Sequence, residues 1–475
     1  MTAPFDLLIR NGTVATAGDV VRCDIGIRDG RVVALGEELG RAEETVDATG
    51  KLVTPGGVDS HCHMDQQPWE GQATVDDFRS GTTSAACGGT TTVIPFAMPL
   101  KGQSLRAVVA DYHRRAESKA VIDYAFHLVV SEPTPQLLGQ DLPALIRDGC
   151  TSFKVYLTYE GLALADEEVL NVLDLAKREG ALVMVHDEND AVVRWLTGKL
   201  LAAGKTGIEH HLSAHPHIGD REATHRAISF SELIDVPILI THVSHRDGAE
   251  QIRWAQTRGL KIYGETCPQY LFLSAEDIAG SGDGHHHHHP LEGAKYVCTP
   301  PPRDKANQQY IWQGLQNGTF QVLSSDHSPY RFTDKIKGGA RTTFANVPNG
   351  VPGIELRAPL LLSEGVGKGR IDLNRFVALI ATNAAKIYGL YPRKGTIAVG
   401  SDADIVIWDT EREWTISHAL LHDQCDYTPY EGMTIKGWPV ATYSRGELVW
   451  DGEEPKAAPG RGRFLRCDLP QQPQP

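Results

Sequence analysis

The chain has 475 residues, 41% hydrophobic and 22% charged. That composition is ordinary for a globular protein, and the length fits one large domain with a smaller one beside it. A formal net charge of −14 excludes nucleic acid, whose phosphates it would repel, and no apolar run is long enough to span a bilayer.

The residues from Met1 to Asp6 lack the charged and apolar regions of a secretory signal. Eight cysteines without paired spacing make no disulfide framework, so a reducing, cytoplasmic setting is expected.

The first fifty residues read as short strands and tight turns. Leu7-Leu8-Ile9 precedes Asn11-Gly12, and Asp24-Ile25-Gly26-Ile27 precedes Asp29-Gly30 and Arg31-Val32-Val33. Asp-Gly between such runs marks a hairpin. The same texture returns in Asp404-Ile405-Val406-Ile407-Trp408, then in Val440-Ala441-Thr442-Tyr443, the Arg445-Gly446 turn and Glu447-Leu448-Val449-Trp450. Residues 1–53 and 396–455 therefore predict one small β-sandwich built from both ends of the chain. Residues 456–475, rich in Pro, Gly, Gln and Arg, predict an extended C-terminal arm outside the core.

Between them, residues 54–395 alternate strand and helix. Strands are predicted at 52–59, 91–97, 123–130, 152–157, 181–186, 236–242, 260–266 and 321–326. Over 166–180, Val169, Val172, Leu173 and Ala176 follow helical spacing, and Gly180 closes the helix. This order predicts an α/β fold with a parallel (β/α)8 barrel, TIM-like, as the catalytic domain. A doubly wound open sheet is the alternative, but it would not readily bring the first and eighth strands together. One segment is odd: five histidines, 285–289, follow a glycine-rich stretch. It reads as a surface loop, with metal binding as the other possibility.

Six residues form a candidate two-metal ligand set. His61 and His63 follow Pro55-Gly56-Gly57-Val58-Asp59 with the spacing that puts both imidazoles on one strand face. Cys62 between them should point away. Lys154 sits in a strand whose Phe153 and Val155 face the other side. His186, His242 and Asp326 each end an apolar run, as a barrel requires of residues gathered at its C-terminal mouth. His245, just behind, is expected behind the ligands or at the surface. Divalent ions held by such N/O ligands would bind a hydroxide at neutral pH and polarise a carbonyl. A lysine ammonium beside two cations is unfavourable. Lys154 by spacing alone suits an ion pair with a carboxylate; with five other ligands present it suits carboxylation by carbon dioxide to an anionic, bridging carbamate. Asp326 would take a proton from the bridging hydroxide during attack and pass it to the leaving nitrogen. The pattern is that of a metal-dependent hydrolase.

Several long strings carry a resemblance. They are Ser152-Phe153-Lys154, Gly264-Glu265-Thr266-Cys267-Pro268-Gln269-Tyr270-Leu271, Gly293-Ala294-Lys295-Tyr296-Val297-Cys298, Asn349-Gly350-Val351-Pro352-Gly353-Ile354-Glu355 and Gly389-Leu390-Tyr391-Pro392-Arg393-Lys394-Gly395-Thr396-Ile397. The chain resembles the cyclic amidohydrolases of the amidohydrolase superfamily, closest to the dihydropyrimidinase/D-hydantoinase branch. The resemblance implies two zinc-like ions, one on His61, His63 and Asp326, the other on His186 and His242, bridged by carboxylated Lys154. It implies Tyr159 as oxyanion donor and backbone groups near Thr299 and Asn349 as the grip on the substrate ring. It implies opening of a cyclic ureide or imide to an N-carbamoyl amino acid. It also implies a homotetramer or homodimer, with the C-terminal arm crossing to a neighbour.

Thr299 stands where the branch usually has serine. The loop after His63, with Gln66, Gln67, Trp69 and Glu70, is more polar than is usual for apolar substrates. It reads either as a pocket for a polar ring substituent or as a solvent-facing loop. Related ring-opening enzymes of the allantoinase or dihydroorotase type are the alternative, and Tyr159 argues against them. A non-catalytic assembly protein of the same fold would have lost ligands, and here all six positions are filled.

Overall fold

The run 52–59, expected to be one strand, is two. Leu52–Pro55 belongs to a sheet made from the chain's ends, and Gly57–Asp59 opens the barrel. Gly56 is the pivot, because any Cβ there would run into the Thr91 side chain; only glycine lets the two strands approach so closely. The structure, a computed structural model, describes residues 4–68, 72–281 and 291–473. Trp69, Glu70 and the histidine run 285–289 lie outside the described residues.

The barrel takes eight strand positions in chain order. One parallel sheet runs from Phe96–Ala97 through His127–Val129, Ser152–Tyr156, Leu182–His186, Ile238–Ile240 and Ile262–Thr266 to Val322–Leu323. Gly57–Asp59, Thr90–Val93 and Asp123–Tyr124 form a second, also parallel. The predicted strands at 91–97 and 123–130 are thus each broken into two short pieces. In the first, Pro95 has no N–H to give a ladder. A parallel bridge between Cys62 and His327, with His63 N–H donating to His327 O at 2.8 Å, joins the first position to the eighth. An open sheet would leave those two edges apart.

The period of two along each strand sorts side chains to opposite faces. Phe153 and Val155 pack with the outer, helix-facing core, while Tyr156, Leu182, Met184 and Leu239 fill the inside. Lys154, between Phe153 and Val155, is fully buried and opposite Met184. The helix Asp166–Glu179 buries Val169, Val172, Leu173, Leu175 and Ala176, and Gly180 ends it at φ 75°. Glu168 reaches back to accept the Ala165 N–H at 2.7 Å, satisfying an otherwise orphaned group.

The two chain ends meet across Leu52–Pro55. It pairs in parallel with Phe5–Ala15 on one side and antiparallel with Ile405–Thr415 on the other, within one continuous eight-stranded sheet. Leu7, Ile9, Ile25, Ile405, Ile407 and Tyr443 form its own core.

The C-terminal arm is extended, but it does not stay outside the core. Leu465 is fully buried, with its N–H on Tyr124 O at 2.7 Å. Tyr124 N–H reaches Arg463 O at 3.0 Å, and Cys467 N–H reaches Gly149 O at 2.9 Å. The arm therefore crosses the N-terminal end of the barrel. There the short strand Asp123–Tyr124 offers unpaired backbone groups, which must be satisfied if buried. Polar composition along 456–475 obscured the apolar Phe464-Leu465 pair that seals this end.

Candidate active site

Of the proposed ligands and Tyr159, all except Lys154 and His186 lie just beyond a barrel strand. Three of them, Tyr159, His242 and Asp326, have positive φ values of 79°, 38° and 47°. Such backbone is costly for non-glycine residues, persists only where surroundings enforce it, and concentrates at functional sites.

Two groups of ligand atoms face one another. His61 Nε2 and His63 Nε2 lie 3.2 and 3.3 Å from Asp326 Oδ1, and one ligand atom from each residue falls within a 4.8 Å cluster. His186 Nδ1 and His242 Nε2 are 2.9 Å apart. The His61 and His242 rings, 5.4 Å between centroids, connect the groups. Lys154 Nζ donates to Thr241 Oγ1 at 2.9 Å and lies 5.2 and 5.4 Å from the ring centres of Phe96 and Tyr156. Among the described residues it has no carboxylate ion-pair partner, so the ion pair suggested by its spacing is not formed.

Burial sets the charge states. It pushes His61 and His242 well below the ordinary imidazole range, and proximity to the Lys154 amine and to the other imidazoles pushes further in the same direction. Both imidazoles are neutral, as ligands must be. Burial also brings the Lys154 amine down to about 8. For Asp326, burial acts upward, but His61 and His63 outweigh it and hold the carboxylate below its usual range. Neutral imidazoles, a carboxylate and a desolvated amine form a donor set that fits two divalent ions of zinc type.

The imidazoles are held from behind. His61 Nδ1 meets Glu265 Oε1 at 2.6 Å. His186 Nε2 meets Glu188 Oε2 at 2.8 Å, and the other Glu188 oxygen takes His215 Nδ1 at 2.8 Å. His63 Nδ1 lies 2.8 Å from the Gln66 amide. Such contacts fix which ring nitrogen is free for a cation. Sequence reading did not assign these roles to Glu265, Glu188 or Thr241. A buried-strand carboxylate one residue before the strand end, as Glu265 is in Ile262–Thr266, was the available signal. Gln66, read as a possible substrate contact, borders the cavity and also supports His63. Gln67 exchanges amide hydrogen bonds with Gln103 at 3.1 and 3.3 Å. His245 is not at the surface: it is buried, with Nδ1 3.9 Å from Asp220 Oδ2. Cys62 packs in the hydrophobic core, away from the cluster.

A cavity of about 730 Å³ opens above these groups, bordered by Tyr159, Thr299 and Asn349. Burial and the nearby Glu188 push the Tyr159 hydroxyl well above the usual phenol range, so it remains a proton donor. Asn349 Oδ1 is buried with no hydrogen-bond partner among the described residues.

Residues 52–449 match the Amidohydrolase family. The chain belongs to that family. This amidohydrolase is 44% identical over 463 residues to the D-hydantoinase of Geobacillus stearothermophilus, covering 97% of the chain and 96% of the relative. It is 41% identical over 462 residues to the D-hydantoinase of Ralstonia pickettii, covering 97% and 98%. Among solved structures, the dihydropyrimidinase from Brevibacillus agri NCHU1002 superposes with a TM-score of 0.94 at 42% identity, over 98% of this chain and 99% of that one. The L-hydantoinase from Arthrobacter aurescens gives 0.87 at 29% identity, over 97% and 100%. The protein thus falls in the dihydropyrimidinase/D-hydantoinase branch of a family that uses divalent metal ions.

Proposed function

We propose that this amidohydrolase opens the ring of a dihydropyrimidine or 5-substituted hydantoin, adding water across the cyclic amide to give an N-carbamoyl amino acid. The observation that carries this is the convergence of His61, His63, Lys154, His186, His242 and Asp326 beneath Tyr159 at one barrel mouth. Relatives named hydantoinase, matching over nearly the full chain, support it.

His61, His63 and Asp326 would hold one divalent ion, and His186 and His242 the other. Bound ions, zinc on donor chemistry, polarise the scissile carbonyl and lower the pKa of water. The Lys154 amine, which has no carboxylate ion-pair partner among the described residues and is shifted toward neutrality, would attack the carbon of carbon dioxide. Its N–C bond would form as an N–H proton passes to solvent, giving a carbamate whose single negative charge would supply oxygen donors to divalent ions in place of a repelling ammonium. Asp326 takes a proton from the attacking water as the C–O bond forms. It returns that proton to the ring nitrogen as the C–N bond breaks. Tyr159 donates its hydroxyl proton in a hydrogen bond to the developing oxyanion. Backbone groups at Thr299 and Asn349 grip the ring. Eight unpaired thiols suit a reducing cytoplasm, and a homotetramer or homodimer follows from the family resemblance.

The test is a panel of 5-substituted hydantoins, dihydropyrimidines and cyclic imides, with allantoin and dihydroorotate alongside. N-carbamoyl products from the hydantoins or dihydropyrimidines are expected. Turnover confined to allantoin or dihydroorotate would overturn the reading.

A further inference from the structure

Outside the catalytic cavity, three distant parts of the chain bring together a thiol, a carboxylate and an imidazole. Cys87 ends the helix Phe78–Cys87, Glu355 follows the eighth barrel strand, and His422 lies in the C-terminal segment. One ligand atom from each falls within a common 4.8 Å cluster. Cys87 and Glu355 are buried, whereas the His422 side chain is 26% exposed. Glu355 is held firmly. Its Oε1 lies 2.9 Å from His422 Nδ1, and its Oε2 accepts the His422 N–H at 2.9 Å and the Ser84 hydroxyl at 3.0 Å. The Trp450 ring meets the His422 ring edge-on, 5.1 Å between centroids.

We propose that Cys87, Glu355 and His422 form a second cation site, selective for thiophilic divalent ions and separate from the catalytic pair. Charge balance is the central reason. The Glu355 carboxylate beside His422 raises the imidazole above its ordinary range; with that ring protonated and the thiol neutral, the group without an ion carries no net charge. A divalent ion that displaces the thiol proton and the imidazolium proton leaves a thiolate, a carboxylate, a neutral imidazole and two positive charges on the metal. Net charge is again zero, so the exchange escapes the large cost of placing an unbalanced charge in a buried place. Two protons are released per ion bound, as metal sites of this kind require.

The donors decide which ion. Thiolate with imidazole and one carboxylate suits zinc or cadmium, whereas magnesium and calcium favour all-oxygen sets. Three protein donors leave a fourth position for water, on the side where His422 is open to solvent. The helix ending at Cys87 turns its carbonyl end toward the cluster, which favours a cation. An ion there would clip this helix, the loop carrying Asn349 and Glu355, and the C-terminal segment to one another.

Titration of the metal-loaded enzyme with cadmium chloride tests the proposal. One additional cadmium per chain is expected, with a thiolate-to-cadmium charge-transfer band in the ultraviolet and no loss of the zinc already bound. Cys87→Ser should abolish the band while leaving turnover in the absence of cadmium unchanged. His422→Gln, at a part-exposed position that folding tolerates more readily, should weaken cadmium binding at least tenfold and raise the cadmium concentration needed for the band. A band that persists in Cys87→Ser, cadmium uptake matched by zinc release, or affinity unchanged in His422→Gln would each overturn it. Because cadmium binding is read directly, failure here leaves the ring-opening reading intact.

Discussion

His327 Nε2 donates to Asp76 Oδ2 at 3.0 Å, with both side chains wholly buried. His327 directly follows Asp326. Its Nδ1 accepts the Gly353 N–H at 3.1 Å, and its carbonyl accepts the His63 N–H at 2.8 Å. One residue, through its side chain and its carbonyl, thus ties together the backbone of the proposed ligand His63, the segment of the proposed proton shuttle and the loop that bears Asn349. Asp76 touches none of them and acts by position.

Asp76→Ala strands the His327 N–H in the interior, which costs about 1–3 kcal/mol of stability. It also loosens the strained Asp326 backbone. We expect kcat to fall about 10- to 100-fold, as for other outer partners of a metal site, with KM little changed. Asp76→Asn, which keeps an acceptor, should recover most of the loss. Equal defects in the two variants would refute positioning through this hydrogen bond.

Lys154→Ala should lose bound metal and activity together, because the bridging anion disappears and two cations then repel one another. A small carboxylate such as acetate or propionate should restore part of the activity. Full zinc content with normal turnover in the variant would remove the carbamate from the mechanism.

Asp326→Asn separates proton transfer from binding. General acid–base catalysis contributes about 10²–10⁴-fold, so kcat should drop by that order while KM moves little. A change confined to KM would make Asp326 a substrate-positioning group.

Tyr159→Phe removes only the hydroxyl. Loss of one oxyanion donor costs about 10²–10³-fold in kcat, and metal content should not change. Wild-type turnover on a good cyclic ureide would end the oxyanion role and weaken the argument against an allantoinase-type activity.

Lys394 anchors a different network. Its Nζ lies 2.8 Å from Asp123 and Asp404 and 3.1 Å from Asp402, all buried. Burial raises the Asp123 carboxyl, but Lys394 and Arg445 outweigh it and the net shift is downward. A carboxylate with a folded pKa below the unfolded value of about 3.9 contributes stability that is fully present above that value. The contribution is lost as pH falls through the folded pKa. Thermal unfolding should therefore show a drop in Tm below about pH 4 that Lys394→Met diminishes. At neutral pH the same variant should lose about 3–5 kcal/mol by leaving buried charge unpaired. A melting curve at pH 7 that matches the wild type would show that the cluster does not stabilise the fold.

The sequence by itself determined the alternation of strand and helix, the barrel, the return of the chain's end to the N-terminal sheet, and the six residues that converge at one mouth. Each rests on local information: period-two strands, a helix with one apolar face, turn glycines, and functional side chains repeatedly placed at strand ends. Tertiary structure alone decided the rest. The split at Gly56 depends on how closely Thr91 approaches, a contact between residues 35 positions apart. The C-terminal arm seals the barrel floor because Tyr124 offers unpaired backbone groups there, which no composition reveals. Glu265, Glu188, Gln66 and Thr241 acquired roles only once folding placed them against His61, His186, His63 and Lys154. The positive φ values at Tyr159, His242 and Asp326 are likewise invisible in the sequence, since it is the packed barrel mouth, not any local preference of those residues, that holds them there.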